Sequence, residues 1–238
     1  MRIAQYLSGL IFLTLPMGLA GFAHAVSISI PGTANPYLAG MPDGSTAPPD
    51  DSAPLQSPVE VSGLNLGSGG ILKFTGASGG VSRAPGCVND CNRLDGNEFW
   101  DHTRASQNGI SDIRAPIESL VGVFLTDSAP NLSSPPAKLN FETLGLDFAA
   151  LSPELQQVFF IGDGRTSGNV VQEFSIPADA SRLFLGTMDG FGWWNNSGMI
   201  TVDVAQVVPE PEIYTMLFAG LGLIWFTARR RVVPQVAW

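Results

Sequence analysis

Asp189, Asn195 and Asn196 put three side-chain oxygens within eight residues, in the stretch Asp189-Gly190-Phe191-Gly192-Trp193-Trp194-Asn195-Asn196. Calcium takes six to eight oxygens at about 2.3–2.6 Å from carboxylates, amide carbonyls and backbone carbonyls, so these residue types suit it. Gly190 and Gly192 let the backbone curl, which would turn a carbonyl near Gly192 or Trp193 toward the same point. Trp193 and Trp194 stand beside the cluster, and an indole ring can stack on a pyranose face. Alternation at a strand end predicts one tryptophan inside and one outside, without saying which. A plain Asn/Gly turn that holds no metal is the competing account of the same residues.

The remaining chemistry-bearing residues are sparse. Cys87 and Cys91 are the only cysteines, and in an exported chain a short-loop disulfide is expected of them. Zinc would need two more ligands, whereas the only histidines are His24 and His102. Gly76-Ala77-Ser78-Gly79-Gly80 fits the pattern of a nucleophile elbow, but no helix pattern follows it and only His102 lies downstream. It reads instead as a glycine-rich loop, and no enzyme is expected. The oxygen-rich stretch from Asn89 to Glu98 misses calcium-loop spacing by one position and reads as a disulfide-tied surface loop.

These groups must be held by strands. Charged residues make up 14% of the 238, while Gly 27 and Pro 18 punctuate the chain, which disfavours long charged helices. Short alternating segments recur at Val59–Val61, Gly70–Thr75, Leu120–Thr126, Val158–Ile161, Val171–Ile176, Arg182–Leu185 and Ile200–Val204. Ser152–Gln157 is expected to make one helical turn, with Pro153 at its start. An all-β antiparallel sandwich is the economical architecture, occupying residues 59–207. Seven prolines between Pro31 and Pro58 predict that residues 26–58 form an extended arm.

Both ends read as sorting signals. Residues 1–25 have a positive start at Arg2, an apolar stretch and Ala23-His24-Ala25, as in a secretory signal peptide cleaved before Val26. At the other end Pro209-Glu210-Pro211 precedes an apolar segment, Ile213 to Ala228, and then Arg229-Arg230-Arg231. Residues 208–231 resemble the PEP-CTERM sorting signal of Gram-negative bacteria, with 232–238 as an additional tail. The resemblance implies processing by signal peptidase and exosortase. It also implies an intermediate anchored in the inner membrane by a single helix, then release to the cell surface or extracellular matrix. A permanent single-span anchor is the alternative. Without the signal and the tail the chain keeps 8 basic and 19 acidic residues, a net charge of −11, which disfavours nucleic acid and makes calcium a natural partner.

The closing segment, Arg182-Leu183-Phe184-Leu185-Gly186 through Asp189 to Asn195-Asn196-Ser197-Gly198 and Ile200–Val204, resembles the calcium-dependent galactose-binding lectins of the PA-IL type. That resemblance implies a galactose-binding-like, jelly-roll sandwich. It implies calcium on Asp189, Asn195, Asn196 and a backbone carbonyl such as that of Trp193, and a glycan whose hydroxyls complete the coordination while Trp193 or Trp194 packs on the ring. The expected function is lectin-like, toward an exopolysaccharide of a biofilm; the alternative is a structural matrix protein in which calcium only stiffens the fold.

Overall fold

The computed structural model describes residues 23–86, 91, 93–208 and 213–230. The signal residues 1–22, Cys87, Pro209-Glu210-Pro211 and Arg231 lie outside the described residues. Among those described, the chain forms fourteen strands: β1 (Ala23–Pro31), β2 (Thr46–Ala47), β3 (Asp51–Ser52), β4 (Val59–Glu60), β5 (Ile71–Ser82), β6 (Phe99–Asp101), β7 (Ile113–Pro116), β8 (Leu120–Leu125), β9 (Leu139–Asn140), β10 (Ala150–Leu151), β11 (Val158–Phe160), β12 (Glu173–Ser175), β13 (Arg182–Thr187) and β14 (Ser197–Val207). Helices are confined to α1 (Phe141–Leu144), α2 (Ile213–Arg230) and a few 3-10 turns. The fold is all-β.

Two larger sheets make the sandwich, one ordered β1-β14-β5-β12-β10 and the other β11-β8-β13-β4. All their pairings are antiparallel except β10 with β12. The alternation in β14 has the expected consequence: Ile200, Val202 and Val204 point inward and are fully buried, with half-buried residues between them. Phe74 of β5 and Phe174 of β12 meet at 5.1 Å, and Phe174 reaches Phe159 of the other sheet at 5.6 Å, so this aromatic group joins the two layers. Each such side chain contributes about 1.5–3 kcal/mol by leaving water.

Every residue of β8 and β11 is buried, because the second sheet is covered on its outer side as well. Phe159 stacks on Phe124 at 5.3 Å, while its neighbour Phe160 points the other way to Phe141 of α1, 5.6 Å distant. Asn140 starts α1 by accepting the Glu142 N–H at 3.1 Å. Opposite Phe159 in the ladder stands Gly122, and a Cβ there would come within 2.7 Å of the phenyl ring. The missing side chain is what lets the ring cross the strand.

Four expectations are corrected. Residues 26–58 are not an extended arm: β1 pairs with β14 along its whole length, and Ala34, Tyr37, Leu38 and Ala39 sit in the core at 0–1% exposure. Proline content signals irregular backbone, which here is packed rather than free. Ser152–Gln157 makes no helical turn; Leu155 bridges to Phe124 and Gln156 has φ 64°. The glycines around Ser78 form no terminal loop, since β5 continues through them with Ser78 opposite Thr201 and a register shift just beyond. Finally, the C-terminal apolar segment is helical as α2, but among the described residues no helix is long and apolar enough to cross a membrane. The sixteen residues from Ile213 to Ala228 span only about 24 Å, against a hydrocarbon core of about 30 Å. Cleavage before Val26 would fall inside β1, whose pairing begins at Ala23 opposite Val207.

Candidate functional site

The Asp189 loop joins β13 to β14, the strands that carry the clearest sequence patterns. Its start is clamped by backbone pairs: Met188 N–H donates to the Ser119 carbonyl at 2.8 Å, and Glu118 N–H to the Met188 carbonyl at 2.7 Å. Gly190 is fixed in turn, its carbonyl accepting both the N–H and the hydroxyl of Thr103 at 2.9 and 3.1 Å. Gly192 then takes φ 77°, a left-handed conformation that costs glycine little, and turns the chain into the 3-10 turn Trp193–Asn195.

That turn settles which tryptophan faces inward. Trp193 is 1% exposed and its indole N–H donates to the Thr187 carbonyl at 2.8 Å, whereas Trp194 is 54% exposed. Trp193 is therefore a core residue and offers no ring face for a sugar; that assignment is corrected, and Trp194 is the indole available at the surface. The Trp193 carbonyl accepts the Asn196 N–H at 3.0 Å as part of the turn, which uses one of its two lone pairs.

Asp189, Asn195 and Asn196 share a different property. Asp189 Oδ2, Asn195 Oδ1 and Asn196 Oδ1 are all buried, and none accepts a hydrogen bond. Each is an acceptor-only oxygen in a place where desolvation without a partner is costly. In two of the three residues another side-chain atom is engaged: Asp189 Oδ1 takes a long bond from the Phe191 N–H at 3.4 Å, and the Asn196 amide donates to the Gly32 carbonyl at 3.1 Å. Burial pushes the Asp189 carboxyl up to about 6, with the charge of Asp51 adding to it; the Asn196 amide and the N–H groups of Phe191 and Gly190 oppose the rise. Among the described residues no group of three or more His, Cys, Asp or Glu side chains could hold a metal, so a cation here would depend on the amide oxygens beside the single carboxylate. The donor set of hard oxygens fits calcium.

The floor of the loop comes from a part of the chain that sequence reading did not connect with it. Asp51 of β3, 2% exposed, accepts the Trp193 N–H at 3.0 Å and the Trp194 N–H at 2.8 Å, one on each carboxylate oxygen. Asn35 donates to the same group at 3.1 Å and accepts the Tyr37 N–H at 2.9 Å. Burial raises the Asp51 carboxyl, and these donors offset only part of the rise. Thr187 ties the same segment to β13 through the Ala34 and Gly32 carbonyls at 2.9 and 2.8 Å. No local signal in the sequence marks Asp51, since its partners lie 142 and 143 residues away.

Of the other residues singled out, Cys91 is disulfide-bonded, and the chain's only other cysteine is Cys87. Arg229 and Arg230 end α2, and the exposed side chains of Phe218, Leu221, Leu223 and Ile224 occupy different faces of it. No family model matches the chain, and comparison with curated proteins and with solved structures finds no match.

Proposed function

We propose that this protein is an exported surface or matrix component whose galactose-binding-like sandwich holds calcium at Asp189, Asn195 and Asn196 and uses it to bind a glycan. The observation that carries the reading is the trio of buried oxygens without donors, contributed by those three residues. A calcium ion would supply the positive charge they lack, and a vicinal pair of sugar hydroxyls would fill its remaining coordination. Trp194 is the ring placed to pack on the sugar, being half exposed next to Asn195. The exposed apolar side chains of Phe218, Leu221, Leu223 and Ile224 in α2 support the reading of the tail as an exosortase-type sorting signal.

A second reading has its own support. Asp189 and Asn196 are 3% and 9% exposed, depths at which an ion would also brace the β13–β14 connection as a purely structural element. A glycan array probed with the full-length protein, in calcium and again in EDTA, separates the two. Binding that disappears in EDTA while circular dichroism stays unchanged supports the lectin; calcium-raised thermal stability with no glycan bound in either buffer supports the structural role. In either case Asp189→Ala abolishes calcium uptake, and an unaltered calcium isotherm for that variant would remove the site.

A further inference from the structure

We propose that Asp51 is a positioning and charge-balancing residue for the cation cradle, bringing the Pro-rich segment into the site. The inference rests on the calcium reading and adds a residue that does not itself touch the ion. Three observations carry it. Both Asp51 oxygens are committed to consecutive backbone N–H groups, those of Trp193 and Trp194, at 3.0 and 2.8 Å. These groups open the 3-10 turn that ends at Asn195 and is followed directly by Asn196, so the carboxylate sets the pitch of the backbone that aims the two amide oxygens. And Asp51 is itself buried and oriented by Asn35, which fixes it before any ion arrives.

Charge gives the second part of the argument. Asp189 is the one carboxylate among the three candidate ligands, which leaves a dication with an unbalanced positive charge in a poorly solvated place. Asp51 lies directly behind the turn, bonded to the two N–H groups that precede Asn195, and no basic residue pairs with it among its hydrogen-bond partners. As a carboxylate accepting the Trp193, Trp194 and Asn35 N–H groups, it supplies a second negative charge from behind the turn. A residue acting from behind the ligands in this way is expected to change metal affinity by about 10- to 100-fold.

Asp51→Asn in the full-length protein tests the idea. One amide oxygen can still accept an N–H, while the charge and one acceptor are lost. By calorimetry with calcium and by tryptophan-sensitised luminescence with terbium, the variant is expected to bind both ions more weakly. The loss in log affinity should be about half again larger for the trivalent ion, because a Coulomb interaction scales with ion charge. Equal affinity to wild type would overturn the inference, and equal losses for the two ions would overturn its electrostatic half. Should the variant unfold in EDTA, hydrogen exchange in the wild type decides instead. The Trp193 and Trp194 amides are expected to exchange more slowly at saturating calcium, and unchanged exchange would overturn the coupling. A wild-type chain that takes up no calcium would remove the underlying site, an outcome distinct from a wild type that binds and an Asp51→Asn variant that binds equally well.

Discussion

His102 gives the fold a built-in acid sensitivity whose size follows from its surroundings. The ring is 3% exposed, lies 3.9 Å from that of Tyr37 in a stacked arrangement, and is 5.7 Å from the Trp193 ring. Nδ1 is bound to the Ala105 carbonyl at 2.6 Å and so carries the proton, which leaves Nε2 as a buried nitrogen without a partner. A second proton on Nε2 would be buried with nothing to accept it. Burial accordingly lowers the pKa from 6.5 to about 4, with Arg104 helping and the Ala105 carbonyl and Asp112 opposing. Between those values the unfolded chain binds a proton that the folded chain refuses. This contribution is therefore fully present above pH 6.5 and is lost as the pH falls toward 4. At about 1.4 kcal/mol per pH unit the gap corresponds to roughly 3 kcal/mol. His102→Phe keeps a ring against Tyr37 but cannot titrate. Asp189 contributes with the opposite sign, since its raised carboxyl takes up a proton in the fold first, but it is common to both proteins and cancels in their difference. Urea denaturation of wild type and variant from pH 7.5 to pH 4, in EDTA, should show the wild type losing roughly 3 kcal/mol relative to the variant. A relative loss below about 1 kcal/mol would refute the argument that burial keeps this ring neutral.

The two tryptophans should separate stability from recognition. Trp193→Phe leaves the buried Thr187 carbonyl without its donor and lowers stability by about 1–3 kcal/mol in urea. Trp194→Ala changes stability by less than about 0.5 kcal/mol but weakens glycan binding in the same calcium buffer. Gly122→Ala places a methyl group within 2.7 Å of the Phe159 ring and is expected to cost about 1–3 kcal/mol by the same urea measurement.

Where hydrophobic alternation is local, the strands were legible. The patterns around Leu120, Arg182 and Ile200 mark β8, β13 and β14, and the loop between the last two carries the three oxygens that the structure leaves without donors. Alternation could not assign Trp193 and Trp194, because the backbone there is a 3-10 turn with a different side-chain period. Residues 26–58 escape local patterning for a related reason. Proline and glycine report the absence of regular structure, and only tertiary contacts reveal that Tyr37 and Leu38 are buried and that Asp51 supports a turn 142 residues away.

The last strand also fixes a geometry of presentation. β14 begins at Ser197, next to Asn195 and Asn196, and ends at Val207, where the chain enters its C-terminal segment. Ten steps at about 3.3 Å separate these points by roughly 33 Å. β1 runs antiparallel beside it, so Ala23 lies opposite Val207, while Pro31 reaches Met199 near the loop. Both ends of the sandwich therefore leave from one pole, and the cradle sits toward the other. The Asp189–Asn196 loop therefore stands a full strand length, roughly 33 Å, from the pole at which β1 begins and β14 ends, so a label attached at either of those strand ends would lie far from the three buried oxygens.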